Sequence, residues 1–252
     1  MRALLRRLAL LSLAGFLALA AAAARAQSGE FAVSINGTAA GTANFDVKAT
    51  PKGYDSTSLV RVSMQGLTYS LSKTEQLDSA NRALHAVISG IVNGSAVNVV
   101  VKPDAGQILM NISANGRSTT SRLANHANAV ILPDFDAGAL ETLLVMAAQQ
   151  NNRDLWAIIP KQTGSIETIQ LATFADQQGS YQGHPITVHH LVATIGKAKT
   201  DLFSGQENQL LQAESPDLGY ALVRKGFVLT PPTKPNAAPP EPADEPAQTQ
   251  PQ

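Results

Sequence analysis

The sequence predicts a mainly β domain, a curved antiparallel sheet forming a half-barrel or sandwich packed on one central helix. Three observations lead there. Apolar and polar residues alternate with period two through most of the chain, Asn-Gly pairs punctuate the alternation, and only one segment carries a helical period.

The alternation is clearest from Val60 onward. Val60, Val62 and Met64 alternate with Arg61 and Ser63, and Leu67, Tyr69 and Leu71 alternate with Thr68, Ser70 and Ser72. Val97, Val99 and Val101 follow, then Ile108, Met110 and Ile112. Each run gives a strand with one apolar and one polar face. Asn36-Gly37, Asn93-Gly94 and Asn115-Gly116 mark hairpins, because both residues tolerate the positive φ of a tight turn. Asp104-Ala105-Gly106 is a looser turn of the same kind. Strands this closely spaced form an antiparallel meander rather than βαβ units.

Leu140, Leu143, Leu144 and Ala147 break the period, falling at i, i+3, i+4 and i+7. Asp136 supplies an N-cap, Glu141 favours the helix dipole, and the 149–152 run of Gln and Asn ends the helix, which is read near 136–149. Further strands are expected at 155–159, 166–174, 186–195, 201–204, 209–214 and 220–229, with single glycines between most of them.

Residues 1–26 read as a signal peptide. Arg2, Arg6 and Arg7 precede an apolar run over 8–23, and Ala24-Arg25-Ala26 offers a cleavage site before Gln27. The chain is therefore expected to be exported, periplasmic or secreted in a bacterium, with no membrane span in the mature form. Removing that segment takes away four arginines and leaves 15 basic against 19 acidic residues. Nothing in that balance attracts nucleic acid. There is no cysteine, so disulfides, thiol nucleophiles and Cys-based metal sites are excluded. From 231 to 252 the chain is rich in Pro and Ala with no large apolar residue, which predicts a disordered tail. Residues 27–230 remain as one antiparallel β domain.

Catalytic signals are sparse. His189 and His190 are adjacent on a strand and point to opposite faces, and His184 and His190 stand about 20 Å apart along it. His190 shares a face with Ile186, Val188 and Val192, which suits a hydrogen-bonded buried histidine better than a metal ligand. No nucleophile elbow, phosphate loop or dinucleotide fingerprint is present, and no cofactor is expected. Asp134 and Asp136 lie close together, and one or both serve as helix-start residues. Asp154 beside Trp156 suits a sugar site, but such a pair alone is not specific.

A broad apolar sheet face needs a cover, and one helix of about 14 residues spans only about 21 Å. The sheet must therefore curl, gain a second layer or leave an apolar groove. The leading expectation is a non-catalytic protein that binds a lipid or acyl chain. Its candidate lining is Val60, Val62, Met64, Met110, Ile112, Leu144 and Trp156. The alternatives are an envelope interaction module, working through sheet edges or the C-terminal tail with a protein partner, and a hydrolase without a recognisable motif. A histidine meeting a serine or aspartate in a cleft would favour the last.

Three stretches carry a resemblance. The opening hairpin from Phe31, the helix at 136–149, and the ending from Asn208 to Arg224 are similar to those of uncharacterised secreted bacterial β-rich proteins. More distantly they resemble the periplasmic lipoprotein-carrier half-barrel of the LolA and LolB type. The resemblance implies a curved sheet partly wrapped round a helix, with acyl chains as ligands. It carries no residue-level role.

Overall fold

The computed structural model describes residues 27–231 apart from Gln162. The expected signal peptide at 1–26 and all but the first residue of the expected tail at 231–252 lie outside the described residues.

The first half is an eight-strand meander: β1 (Gln27–Ile35), β2 (Thr38–Thr50), β3 (Gly53–Met64), β4 (Leu67–Asp78), β5 (Ala83–Val92), β6 (Ser95–Asp104), β7 (Gln107–Ala114) and β8 (Arg117–Ala124). Every strand pairs antiparallel with the next. The Asn-Gly turns form as expected, with φ of 49° and 75° at Asn36 and Gly37 and the same left-handed pair at 93–94 and 115–116. Ala105-Gly106 adopts it too, despite the alanine side chain.

The second half runs through β9 (Ala129–Ile131), the helix α1 (Ala137–Gln149), β10 (Leu155–Ile159), β11 (Ser165–Thr173), β12 (Gln177–Tyr181), β13 (His184–Ile195), β14 (Ala198–Ser204), β15 (Leu210–Ser215), β16 (Tyr220–Arg224) and β17 (Phe227–Leu229). β16 pairs with β1, so the meander continues through β15, β14, β13, β11 and β10 to β9, which lies parallel to β10. The result is one curved sheet that does not close. Its far edge nevertheless comes round, since Ser121 Oγ on β8 donates to the Thr163 carbonyl beyond β10. Among the described residues no helix is long and apolar enough to cross a membrane.

The strand expected over 220–229 is two strands, because Lys225-Gly226 turns the chain, with Gly226 at φ 82°. β17 then pairs with β12, which also pairs with the first half of β13. This small layer covers the outer face of β14 and β15. Leu202 and Leu210 enter the main core, while their neighbours Phe203 and Leu211 join Val188 and Phe227 in a second one.

Curvature is built in where side chains are missing. A bulge between Val33 and Ser34 places Gly41 against β3, where a Cβ would lie 1.9 Å from the Arg61 carbonyl oxygen. Gly41→Ala should therefore lower stability by about 1–3 kcal/mol, read from a urea melt.

α1 lies inside the curve against β1, β2, β3 and β15. Asp136 caps it as expected, its Oδ1 accepting from Ala139 N at 3.1 Å. Leu140, Leu143, Leu144 and Ala147 are buried in the main core. Glu141 differs from expectation. It does not serve the dipole at the first turn but is buried against Arg224. The reason is geometric, because a helix enclosed by a sheet has no solvent face near its start.

Candidate functional site

α1 fills the concave side chiefly over β1–β3 and β15, and it also packs on β9. Over β4–β7 the sheet is covered instead by β9 and the segments at 132–134 and 160–161, which leave a cleft of about 410 Å³. Its floor is the inward alternation of four strands: Tyr69 and Leu71 from β4, Ile88 from β5, Val97 and Val99 from β6, and Ile112 from β7. Pro133, Asp134, Pro160 and Lys161 form the roof. Asn93, Ser95 and Asn115, from two hairpin ends, make a polar rim. A cavity of this size with apolar walls and few polar groups has the make-up of a small-molecule site.

The roof is held by polar contacts. Lys161 Nζ lies 2.7 Å from Asp134 Oδ1 at a half-exposed position, and Tyr69 Oη donates to the Asp134 carbonyl at 3.2 Å. Burial pushes the Tyr69 phenol up, reinforced by Asp134 and Asp136, so it stays a neutral donor. A second cleft of about 140 Å³ lies beyond, walled by Leu132, Phe135, Leu140, Ile195 and Tyr220. Pro133, Asp134 and Lys161 line both.

Two buried ionic clusters hold the helix beside these clefts. In the first, Lys73 Nζ lies 3.0 Å from both Glu75 Oε2 and Asp136 Oδ2 and donates to the Ile131 carbonyl at 3.3 Å. Ser58 Oγ donates to Asp136 Oδ2 at 3.0 Å. Burial alone would depress the Lys73 ammonium, but Asp136 and Glu75 together hold it above the usual lysine value. Burial pushes the Glu75 carboxyl up, with Lys73 opposing. In the second cluster Glu141 Oε2 accepts from Leu210 N at 2.7 Å and lies 3.3 Å from Arg224 Nη2. The same guanidinium donates to the carbonyls of Leu210 and Ser28 and sits 5.0 Å over the Phe31 ring. Neither cluster presents a group to the larger cleft. Both tie the helix to the sheet.

Of the residues expected to line a ligand site, Ile112 lines the larger cleft. Val60 and Val62 are buried on β3, which α1 covers, and Leu144 is buried on α1 itself. Met110 is fully buried, with its methyl in the space a Cβ on Gly164 would need. Met64 is 38% exposed at the end of β3. Trp156 stacks on His126 at 3.5 Å and donates to Asp154. The cleft residues that the candidate set left out include Tyr69, Leu71, Val97 and Val99, whose alternation was visible, and the Asp134–Lys161 pair, whose partners are far apart in sequence.

His190 is half-buried and hydrogen-bonded. Its Nε2 lies 2.7 Å from Asp201 Oδ1 and its Nδ1 3.4 Å from Gln177 Nε2. The ring is stacked on Phe203, with Phe174 5.0 Å away. Gln177 donating to Nδ1 leaves the Nε2 proton for Asp201, so both nitrogens are engaged. His189 bonds to Asp176. The histidine–aspartate contact therefore reads as a cross-strand structural pair. No protein-family model, curated protein or solved structure matches this chain.

Proposed function

We propose that the chain is an exported, non-catalytic protein that binds an apolar ligand, an acyl chain or a lipid, in the cleft over β4–β7. The observation that carries this reading is the cleft itself. It is a largely aliphatic floor left uncovered by α1, under a roof held by the Asp134–Lys161 ion pair. The polar rim at Asn93, Ser95 and Asn115 suits the head of an amphiphile whose tail lies on Leu71, Val99 and Ile112. The export pattern at 1–26 and the resemblance to lipoprotein carriers support the same reading. The five histidines lie outside the cleft, and Asp134, the carboxylate that lines it, is paired with Lys161.

Val97→Trp tests it. Val97 is half-buried on the cleft floor, and an indole there would occupy the space of the tail. Affinity for a fluorescent fatty acid should fall at least about tenfold, or 1.4 kcal/mol, with the melting transition kept. Unchanged affinity would place any ligand elsewhere.

A further inference from the structure

We infer that Phe135 is the partition that limits how long a chain the site accepts, an inference that rests on the acyl-chain reading. The two clefts share Pro133, Asp134 and Lys161, so the segment carrying Phe135 lies between them. The Phe135 ring meets Tyr69 of the larger cleft edge-on, with centroids 5.6 Å apart and planes at 85°. It meets Tyr220 of the smaller cleft the same way, at 5.2 Å and 78°. One ring thus bridges a wall residue from each side.

Its backbone is as telling as its ring. Phe135 has φ 58°, a left-handed conformation that a bulky side chain rarely adopts. The next residue explains why it persists. Asp136 is held by Lys73, Ser58 and the Ala139 amide, so the chain must enter the helix at this angle. Position and strain together fix an aromatic wall between the two clefts. A straight chain entering past the hairpin rim at Asn115 crosses Ile112, Val99 and Leu71 and ends at Tyr69, behind which this ring stands. Methylenes beyond that point have nowhere dry to go.

Phe135→Gly removes the ring and suits the positive φ. Phe135→Asn is a second variant that tolerates the same backbone. The test uses the full chain and saturated fatty acids from decanoate to docosanoate, displacing an anilinonaphthalene sulfonate fluorophore. In the wild type, affinity should rise with length and then level off. In both variants it should keep rising past that length, by about fourfold for each further methylene that enters the second cleft. Ala198→Trp, which fills the second cleft from β14 and leaves the Phe135 backbone as it is, should leave the wild-type profile unchanged.

An unchanged plateau in the Phe135 variants overturns the inference and leaves the acyl-chain reading standing. So does a profile shortened by Ala198→Trp, because chains would then already reach the second cleft. That arm decides the matter even where a Phe135 variant does not fold. Failure of every acid to displace the probe from any of these proteins removes both readings.

Discussion

Replacing Lys73 by methionine should lower stability by about 3–5 kcal/mol, the cost of leaving buried charge without its partner. The Lys73 side chain is 1% exposed, and its ammonium is the group that neutralises Glu75 and Asp136, which are equally buried. Methionine fills the space but leaves two carboxylates close together in a dry interior. One of them must take up a proton or draw in water. The loss should be partly recovered in the triple variant Lys73→Met, Glu75→Gln, Asp136→Asn. Asparagine still caps the helix, and no charge is left uncompensated. Urea denaturation of the three proteins checks this. A loss under about 1 kcal/mol for the single variant would mean that the cluster reaches water.

The second large effect is at Arg224. It donates to the carbonyls of Ser28 and Leu210 and faces Glu141, so Arg224→Leu should also cost about 3–5 kcal/mol near pH 8. The cost should shrink as pH falls. Burial pushes the Glu141 carboxyl up to about 7, against the opposing pull of Arg224 and the Leu210 amide. A carboxyl raised in the folded state binds its proton more tightly there than in the unfolded chain. Its contribution to stability therefore grows as pH falls from about 7 towards 4.5, and the charged form is disfavoured above that window. In the wild type this amounts to a few kcal/mol, on the order of 3. Without the guanidinium, Glu141 holds its proton to still higher pH, so Arg224→Leu should lie closer to wild type near pH 5 than near pH 8. Glu141→Gln should flatten the wild-type profile over the same window. Stability measured by urea melts across that range tests all three.

The turns and the strand alternation were legible because they are local. Asn-Gly pairs need only their own backbone, and Tyr69 and Leu71 declare their face by parity. The same parity carried on through Lys73, Glu75 and Leu77, and it placed the two charged residues inside. That signal is easily discounted, since a buried lysine makes sense only when its partner is known, and Asp136 lies 63 positions away. β8, with the sequence Arg-Ser-Thr-Thr-Ser-Arg-Leu-Ala, has almost no apolar alternation and is held in the sheet by its pairing with β7. Helix capping by Asp136 was readable from three residues, whereas the pairing of Asp134 with Lys161 depends on how two loops meet over the sheet. For the cleft, parity correctly put Val60, Val62 and Ile112 on inward faces. Which part of the inward face α1 would cover depends on tertiary packing, and of these three only Ile112 lay outside that cover.

The most direct test of the central claim is native mass spectrometry of the chain purified from its own host's envelope, before and after extraction with organic solvent. The account predicts a protein carrying an added mass that extraction removes and that Val97→Trp purified in parallel lacks. A bare chain mass from folded wild-type protein, with no extractable ligand and no uptake of added fatty acid, would contradict it.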